Sequence, residues 1–264
     1  MSALALKTAY REESILNALR KKKYLKTCEA ADMLNISECT VRRFFEELEK
    51  RGEVVRVYGG IKLPPNKQGD YHFENLQFRR SEQKRRIGEF AGSLVSNGDI
   101  VFLDSGTTIQ QMAFSLVERI KRKALTDIQV FTNSLQNLMI LSDYCDVNLI
   151  GGLFRSKRKD FCGYLSEMML EVVSFEKCFL SADGISIDAG DGIMATDVFT
   201  AKINQIVTRR AGKVYLLADS TKFVRRSFIK YADVSDVCMI VSDSELAPDV
   251  QKTLHAFGPE IKIV

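Results

Sequence analysis

Five short polar segments each follow a run of apolar residues, and their side chains are suited to bind a small anion that carries hydroxyl groups. The segments are 104–108 (DSGTT), 132–134 (TNS), 151–152 (GG), 183–184 (DG) and 219–222 (DSTK). Glycine lets the backbone approach an anion closely, and hydroxyl and N–H groups at the start of a helix can hold a phosphate. Short Asp and Asn side chains suit the hydroxyls of a polyol. Together the segments predict a site for a phosphorylated polyol.

Within this predicted site, the anion would lie against a glycine and two threonines, with a lysine as a compensating charge. The candidate ligand-binding residues are Asp104, Ser105, Gly106, Thr107, Thr108, Thr132, Asn133, Gly151, Gly152, Asp183, Lys202 and Lys222. Taken one at a time, the same segments also fit ordinary helix caps and turns. Their joint placement favours a binding site over this purely structural alternative.

The elements that would position these segments alternate between strands and helices from residue 99 onward. Apolar runs predict strands at 99–104, 128–132, 147–150, 177–181, 214–218 and 237–241, with helical segments between most of them. Continuous Val, Ile, Leu and Phe indicate strands covered on both faces, and hence a mainly parallel sheet flanked by helices. Because the carboxyl ends of parallel strands lie at one edge, the five polar segments should converge there.

A second group of residues with chemical meaning lies on the third predicted helix of the chain. Thr40, Arg42 and Arg43 project from its outward face. Arg pairs bidentately with guanine, and Thr can reach a base or a phosphate. In a plainer interpretation, Glu38–Arg42 and Arg43–Glu47 are surface ion pairs four residues apart.

The elements around this face fit a winged helix-turn-helix. A helix over about residues 10–22 is followed by a short helix capped by Thr27, a turn at 35–36 and a third helix capped by Ser37. Residues 53–61 predict a hairpin, the wing. The candidate DNA-binding residues are Thr27, Ser37, Thr40, Arg42, Arg43, Arg56 and Tyr58, and Lys21, Lys22, Lys23 and Lys26 could neutralise phosphates.

Composition and charge restrict the classes of protein to which this chain can belong. The chain has 264 residues with 38 Lys+Arg and 34 Asp+Glu, a formal net charge of +4, and 45% of its residues are apolar, which argues against a fibrous or disordered chain. Residues 1–86 hold 19 basic and 12 acidic residues, whereas 87–264 hold 19 and 22. A basic first part suggests a polyanionic partner for that part alone, although a solvated basic surface would have the same charge.

No membrane span, secretion signal, metal site or bound cofactor is expected. No apolar run reaches the roughly 18 residues of a membrane helix, and residues 1–14 lack the apolar region of a signal peptide. The six cysteines have no metal-ligand spacing, and there are two histidines. We therefore expect reduced thiols in a cytoplasmic protein without metal or cofactor.

Three parts are expected along the chain: a DNA-binding domain at 1–62, a Pro- and Gly-containing linker at 63–75 and an α/β domain at 76–264. The α/β domain should begin with a helix rich in basic residues. A solvated helix face is expected for them, with contacts to DNA or to an acidic surface of the domain as alternatives. These basic residues are Arg79, Arg80, Lys84, Arg85 and Arg86.

The sequence resembles the DeoR family of bacterial transcriptional regulators over nearly the whole chain. In the first part the likeness is carried by Thr27, Ala30-Ala31, Ile36-Ser37-Glu38, Thr40-Val41-Arg42-Arg43, Leu48-Glu49, Gly52, Arg56 and Tyr58-Gly59-Gly60. In the second part it is carried by residues 102–108, 132–135, 150–152, 179–184 and 217–223. The chain departs from the family pattern at Phe44-Phe45, at Gln83 in place of a glutamate and at Ser181 in place of a glycine.

The resemblance implies a small winged helix-turn-helix domain and a larger, Rossmann-like α/β sensor domain similar in fold to ribose-5-phosphate isomerases. It implies a repressor of a carbohydrate-metabolism operon that binds double-stranded operator DNA as a homodimer or homotetramer. The effector would be a sugar phosphate or a related metabolite. The alternative is a sugar-phosphate isomerase with an appended nucleic-acid-binding domain, in which Asp104, Asp183 and Lys202 supply acid/base groups. No spacing in the sequence compels catalysis, so we expect no enzyme.

Overall fold

The computed structural model describes residues 11–12, 14–19, 22, 24–50, 54–62, 71–187, 192–223 and 227–264. The chain divides into two compact units, residues 1–70 and 71–264. Each unit has an apolar core of its own.

The carboxyl end of the expected linker, 63–75, differs from the sequence prediction. Residues 63–70 lie outside the described residues, but 71–75 belong to the larger unit. Phe73 is buried there, and its N–H donates to the carbonyl oxygen of Lys157 at 2.9 Å. Burial of this aromatic ring anchors a segment whose polar neighbours had suggested a free connection.

The smaller unit is a winged helix-turn-helix. Its elements are α1 (helical at 14–19), β1 (Tyr24–Lys26), α2 (Thr27–Leu34), α3 (Glu38–Lys50), β2 (Val55–Val57) and β3 (Gly60–Lys62). The strands form an antiparallel sheet in the order β1-β3-β2. Its core includes Ile15, Leu19, Leu25, Ala30, Val41, Phe45, Leu48 and Ile61. The predicted third helix and wing are confirmed, whereas β1 was not predicted from the sequence.

The turn between α2 and α3 depends on two polar residues. Asn35 ends α2 with a left-handed φ of 51°, a conformation that Asn tolerates better than most residues. The Ser37 hydroxyl accepts a hydrogen bond from the N–H of Thr40 at 3.3 Å, as expected for the cap of α3. The predicted cap of α2 is wrong, because that helix already includes Thr27 and its N-cap is Lys26.

The larger unit is a layered α/β structure. Along the chain its elements are α4 (Phe73–Leu76), α5 (Ser81–Ser93), β4 (Ile100–Leu103), α6 (Thr107–Lys121), β5 (Gln129–Thr132), α7 (Leu135–Leu141), β6 (Asp146–Leu149), β7 (Leu153–Arg155), β8 (Asp160–Cys162), α8 (Tyr164–Glu171), β9 (Phe175–Ser181), β10 (Gly184–Ile185), β11 (Ile193–Ala195), α9 (Val198–Arg210), β12 (Ala211–Leu217), β13 (Ile229–Ala232), β14 (Met239–Ser242), α10 (Pro248–Ala256) and β15 (Glu260–Ile263).

Seven of these strands form one sheet in the order β15-β14-β12-β9-β4-β5-β6. Every neighbouring pair is parallel, which confirms the predicted sheet. Successive residues of a strand enter opposite apolar clusters: Phe102 and Leu216 lie in one, Val101 and Leu217 in the other. Helices α8 and α9 contribute to the first cluster, and α5 and α6 to the second. Both faces of the sheet are therefore covered.

The strand order reverses between β4 and β9. The chain runs outward from β4 through β5 to β6, then returns to β9 and continues outward through β12, β14 and β15. In such sheets the loops after the two central strands turn to opposite faces and leave a crevice at the carboxyl edge. The segments that follow β4 and β9 are 104–106 and 182–183.

Two smaller pieces of sheet were not predicted. The hairpin β7–β8 follows β6, and strands β10, β11 and β13 form a separate three-stranded sheet that begins directly after β9. None of the six cysteines forms a disulfide. Among the described residues, no helix has the length and apolar character needed to cross a membrane.

Candidate functional site

The crevice between β4 and β9 is held together by Asp104. This buried carboxylate accepts hydrogen bonds from the N–H of Ser105 at 2.7 Å and from the N–H of Ser181 at 3.0 Å, and also from the Ser181 hydroxyl. Burial raises the pKa of Asp104, while the serine hydrogen bonds oppose that rise. Asp104 was expected to bond a ligand hydroxyl, but one of its oxygens already bonds Ser105 in the loop after β4 and the other bonds Ser181 at the end of β9.

Gly106 is explained by the same contact. Its φ of −69° is open to any residue, but a Cβ there would lie 2.3 Å from the Ser181 Oγ. The serine that replaces the family's usual glycine at 181 therefore occupies space that a side chain at 106 would need. Ser181, which departs from the family pattern, and the motif glycine Gly106 are therefore packed against each other.

Thr107 and Thr108 form the first turn of α6, directly beyond Gly106. Their side chains are nearly buried, at 7% and 5% exposure. The N–H groups of a first helical turn have no acceptor within the helix, and the positive end of the helix dipole lies there. This arrangement at the crevice suits an anion.

The loop after β5 has one structural residue and one with spare bonding capacity. Thr132 donates its hydroxyl hydrogen to the carbonyl oxygen of Leu103 at 2.6 Å, which ties β5 to β4. Asn133 donates its amide to the carbonyl oxygen of Phe161 at 3.1 Å. Within the described part of the chain, the buried Oδ1 of Asn133 has no hydrogen-bond partner. A buried acceptor of this kind suits a ligand hydroxyl.

The glycine pair at 151–152 serves the hairpin that follows. Gly152 has a φ of 147°, and a Cβ there would lie 2.3 Å from the Ser166 Oγ. The Ser166 hydroxyl donates to the carbonyl oxygen of Gly151 at 2.6 Å. These contacts hold the hairpin against α8 and give the pair a structural role.

Sequence reasoning missed the arginine of β7. Arg155 donates to both oxygens of Asp160, at 2.8 and 2.6 Å, and to Asp197 at 2.7 Å. Asp160 is fully buried and also accepts from the Ser105 hydroxyl at 3.0 Å. The hairpin is thereby linked to the loop that precedes α6. A bidentate Arg–carboxylate pair of this kind is geometrically specific.

A second arginine, Arg158, lies beside Asp183 and Asp197. Its guanidinium nitrogens are 3.7 and 3.3 Å from these carboxylates, and its Cζ lies 3.7 Å from the centroid of the Tyr71 ring. Asp183 itself accepts from the N–H and hydroxyl of Thr196, at 2.9 and 2.8 Å. The segment 155–160 reads RSKRKD, which looks like an exposed charged loop, so only the fold reveals these contacts.

The charges in this cluster perturb one another. Burial alone would raise the pKa of Asp197, but Arg158, the N–H of Thr200 and Arg155 bring it below its ordinary value. Burial raises the pKa of Tyr71. Asp197 therefore stays ionised and pairs with both arginines.

The two lysines of the predicted site lie apart from these contacts. Lys202 is exposed on α9, and Lys222 is half-buried in a short 3-10 turn that follows β12. Among the described residues, no hydrogen bond or ion pair joins either lysine to the residues of the crevice. Nor do the described His, Cys, Asp and Glu residues form a group that could hold a metal ion.

The basic residues 79–86 behave in two ways. Arg85 and Arg86 pair with Glu82 on the exposed surface of α5, as expected. Arg80 instead bonds Asp243 and Glu245, both at 3.1 Å. For Arg80, the alternative expectation of contacts with acidic residues of the same domain therefore holds.

Lys84 differs most from the expectation that these basic residues lie on a solvated helix face. Its side chain is buried, and its ammonium group donates to the carbonyl oxygen of Leu76 at 2.7 Å. Burial lowers its pKa to about 8. The lysine joins α5 to the end of α4.

On the smaller unit, several predicted DNA-binding side chains are exposed. Arg42 and Arg43 lie on the outward face of α3, and Tyr58 is fully exposed at the tip of the wing. Arg42 also pairs with Glu38 at 3.3 Å, the surface pair considered above. Arg56 bonds Glu46 at 3.1 Å.

Thr27, one of this set, faces inward, and so does Phe44, one of the departures from the family pattern. The hydroxyl of Thr27 donates to the carbonyl oxygen of Gly59 at 3.2 Å, so Thr27 holds the wing to α2. Phe44 is half-buried and packs against the core. Lys21, Lys23 and Gly52 lie outside the described residues.

Both units match models of one protein family. Residues 11–67 match a DeoR-like helix-turn-helix domain, and residues 79–244 match a DeoR C terminal sensor domain. The chain belongs to the DeoR family. This DeoR-family chain is therefore a DNA-binding transcriptional regulator.

Curated relatives agree over most of the chain. An HTH-type transcriptional regulator of Bacillus subtilis, YulB, is 30% identical, with 94% of this chain and 93% of the relative covered. The lactose phosphotransferase system repressor of Streptococcus mutans is 31% identical over 92% and 94%. IolR of B. subtilis is 30% identical over 83% and 84%. These relatives are regulators, which favours a regulator over the isomerase alternative.

Solved structures similar to this DeoR-family chain include ribose-5-phosphate isomerases. One, in complex with phospho-erythronic acid, has a TM-score of 0.41 and 17% identity, with 54% of each chain covered. The isomerase of Methanocaldococcus jannaschii has a TM-score of 0.40 and 19% identity, again over 54% of each chain. A likeness of this size carries no argument about the chemistry of the crevice.

Proposed function

We propose that this DeoR-family regulator represses a carbohydrate-metabolism operon and is controlled by a sugar phosphate bound in the crevice between β4 and β9. The observation that carries the proposal is the first turn of α6 at the point where the strand order reverses. Crevices at such points are where open α/β sheets bind ligands. The phosphate would lie against Thr107 and Thr108.

The sugar hydroxyls would lie on the polar side of the same crevice. Asn133 supplies a buried acceptor, and Asp183 lies beside Arg158. A sugar phosphate carries both an anion and several hydroxyls, which matches a helix N-terminus next to carboxylate and amide oxygens. The effector would act by binding two conformations of the regulator with different affinity.

Operator DNA would be read by α3, with Arg42 and Arg43 on base edges and Tyr58 of the wing on the backbone. Ser37, Thr40 and Arg56 would contact phosphates. Two recognition helices are needed to engage half-sites about 34–36 Å apart, so the active species would be a homodimer or homotetramer in the cytoplasm. The name of the Streptococcus relative, a lactose phosphotransferase system repressor, supports a role in carbohydrate metabolism.

A thermal-shift screen tests the effector site. A panel of pentose and hexose phosphates is added to the full chain, and a ligand that binds only the folded state raises its melting temperature. The shift should be lost in Thr107→Val and Thr108→Val and kept in the matched control Thr253→Val, an exposed threonine of α10. If no sugar phosphate raises the melting temperature, or both variants respond like the control, the proposed effector site is wrong. Enzyme-like turnover of these phosphates would revive the isomerase alternative.

A further inference from the structure

Helix α8 presents an unusual amount of apolar surface to solvent. Tyr164 and Leu165 of this helix, and Val172 directly after its last residue, are exposed by 75%, 64% and 81%. They follow positions i, i+1 and i+8 of one helix, and Met168 and Met169 at i+4 and i+5 lie on the same side. The opposite side is buried through Ser166 and Leu170. The helix therefore has one side buried against its own chain and an apolar stripe on the side that its own chain leaves exposed.

Neighbouring elements extend this surface. A Cβ on Gly163 would lie 3.9 Å from the Cβ of Leu153 in β7, which places that exposed leucine beside the start of α8. Helix α9 packs against α8 and begins with the exposed pair Val198 and Phe199. We call this surface the α8 face. It consists of Leu153, Tyr164, Leu165, Met168, Met169, Val172, Val198 and Phe199.

The size of the α8 face is that of an interface. Taking roughly 150 Å² per side chain, the lower end of the range for aromatic residues, eight residues exposed by 41–81% present on the order of 700 Å². The largest apolar patch of an ordinary monomer is about 300–600 Å², and a stable dimer buries about 800 Å² on each partner. Beyond the α8 face, the described large apolar residues with comparable exposure include Met33, Tyr58, Phe78, Phe114, Met139, Tyr144, Phe228 and Phe257.

The charges around the α8 face are complementary within one chain. The sequence of α8, YLSEMMLE, has two glutamates and no basic residue. That of α9, VFTAKINQIVTRR, has three basic residues and no acidic one. Arg210 bonds the Val173 carbonyl and Ser174 of its own chain, so the exposed Lys202 and Arg209 are the charges that α9 offers to a partner. In a two-fold contact, each copy offers the same patch, so α8 of one copy can meet α9 of the other with opposite charges. A surface with an apolar centre and both signs of charge on its two helices is complementary to itself.

We propose that the α8 face is the contact between two copies of this chain. This assigns a surface to the homo-oligomer of the proposed function. It rests on that function in one respect, which is that operator binding requires two recognition helices. Homodimer interfaces are more apolar than other protein contacts, which suits the composition of this face. The occupant is a second copy of the chain, related by a two-fold axis.

The test is the mass of the full chain in solution. Analytical ultracentrifugation should find a species of at least two chains of 29.8 kDa each. Leu165→Glu places a charge opposite its own copy in the two-fold contact and should weaken dimerisation at least tenfold. Because Leu165 is exposed, the circular dichroism spectrum and melting curve of the monomer should keep their native shape. The matched control is Met139→Glu on α7, exposed by 69% outside the α8 face, which should leave the mass unchanged.

Each outcome decides the proposal. A monomeric wild type overturns it, and so does a folded Leu165→Glu variant that associates as tightly as the Met139→Glu control. A second variant, Val172→Glu, must weaken association as well, because it lies at the other end of the same stripe. DNA binding is measured separately on a duplex with a single half-site. If a variant no longer dimerises but still binds the half-site, the interface is separate from the DNA-binding function.

Discussion

At the scale of single residues, the crevice is organised by side chains that bond the protein itself. Asp104, Ser181 and Gly106 form one arrangement in which a carboxylate, a hydroxyl and the absence of a Cβ depend on each other. Thr132 likewise serves the sheet. The ligand-binding capacity is left to the first turn of α6 and to the free acceptor of Asn133. A motif residue can therefore be essential without contacting a ligand.

Ser181→Gly tests this arrangement. The variant keeps the N–H bond to Asp104 but removes the buried hydroxyl bond, and we expect the free energy of unfolding to fall by about 1–3 kcal/mol. Urea denaturation of the full chain measures it. Ser142→Gly, at an exposed helix end, adds the same backbone freedom without that bond. Equal stability of the two variants would show that the hydroxyl bond contributes nothing.

Arg42→Ala and Arg43→Ala test the recognition helix. If each arginine makes a bidentate base contact, we expect each change to weaken specific operator binding by roughly 1–3 kcal/mol. Gel-shift titration at fixed salt measures the affinity. Arg122→Ala on the larger unit is the control, since Arg122 is also an exposed arginine paired with a glutamate. Unchanged affinity in both α3 variants would remove α3 from base recognition.

At the scale of elements, buried charges join pieces of chain that apolar packing alone would leave separate. Arg155 and Asp160 connect the β7–β8 hairpin to the loop before α6 and to the start of α9. Arg80 connects α5 to the segment after β14. Lys84 connects α5 to α4. Such pairs must be matched closely, because an unpaired buried charge is costly.

The buried lysine of α5 should make stability depend on pH. The pKa of Lys84 is about 8 in the folded protein, against an ordinary 10.5. Between these values the unfolded chain binds more protons, so the free energy of unfolding contributed by Lys84 rises as pH rises. In Lys84→Met that rise should be absent. The stability of the variant relative to wild type should therefore fall across this window, by about 1.4 kcal/mol for each unit of separation between the two pKa values.

Urea denaturation of both proteins at several pH values in this window measures the difference. Lys121→Met, which removes an exposed lysine of α6, is measured in the same way as the control for the loss of a lysine side chain. A constant difference between Lys84→Met and wild type across the window would mean that Lys84 has an ordinary pKa.

At the scale of the whole molecule, the chain divides its two tasks between two units with separate apolar cores. The formal charge of +4 is a sum over a basic first part and a slightly acidic remainder. The α8 face adds a third task, association, to the larger unit. One of its residues adjoins the cluster of Arg155, Arg158 and Asp197 in sequence, since Val198 follows Asp197.

Because each unit has its own core, residues 71–264 should fold alone. We expect this fragment to melt in one cooperative transition, to keep any sugar-phosphate response and to lose DNA binding. Circular dichroism, thermal shift and gel shift measure the three properties, with the full chain as the control. A fragment without a cooperative transition would show that the larger unit depends on the smaller one.

The sequence by itself determined the recognition helix, the wing and the layers of the main sheet, but not β1 or the two smaller pieces of sheet. Apolar periodicity, the Ser37 cap and continuous Val/Ile/Leu runs are local signals, and they predicted the third helix, the wing and the parallel sheet. No local signal predicted the contacts of Gln83, which departs from the family pattern, or of the charged segment 155–160. Gln83 bonds Glu245 at 3.0 Å.

The tertiary structure decided which polar residues serve each other. Ser181 reaches Asp104 across 77 positions and Arg155 reaches Asp197 across 42, and no periodic pattern encodes a contact between two polar side chains so far apart. It also decided that segment 71–75, which was expected to belong to the linker, is anchored in the larger unit and that one stripe of α8 stays uncovered. Burial depends on what the rest of the chain covers, and a local pattern does not contain that information.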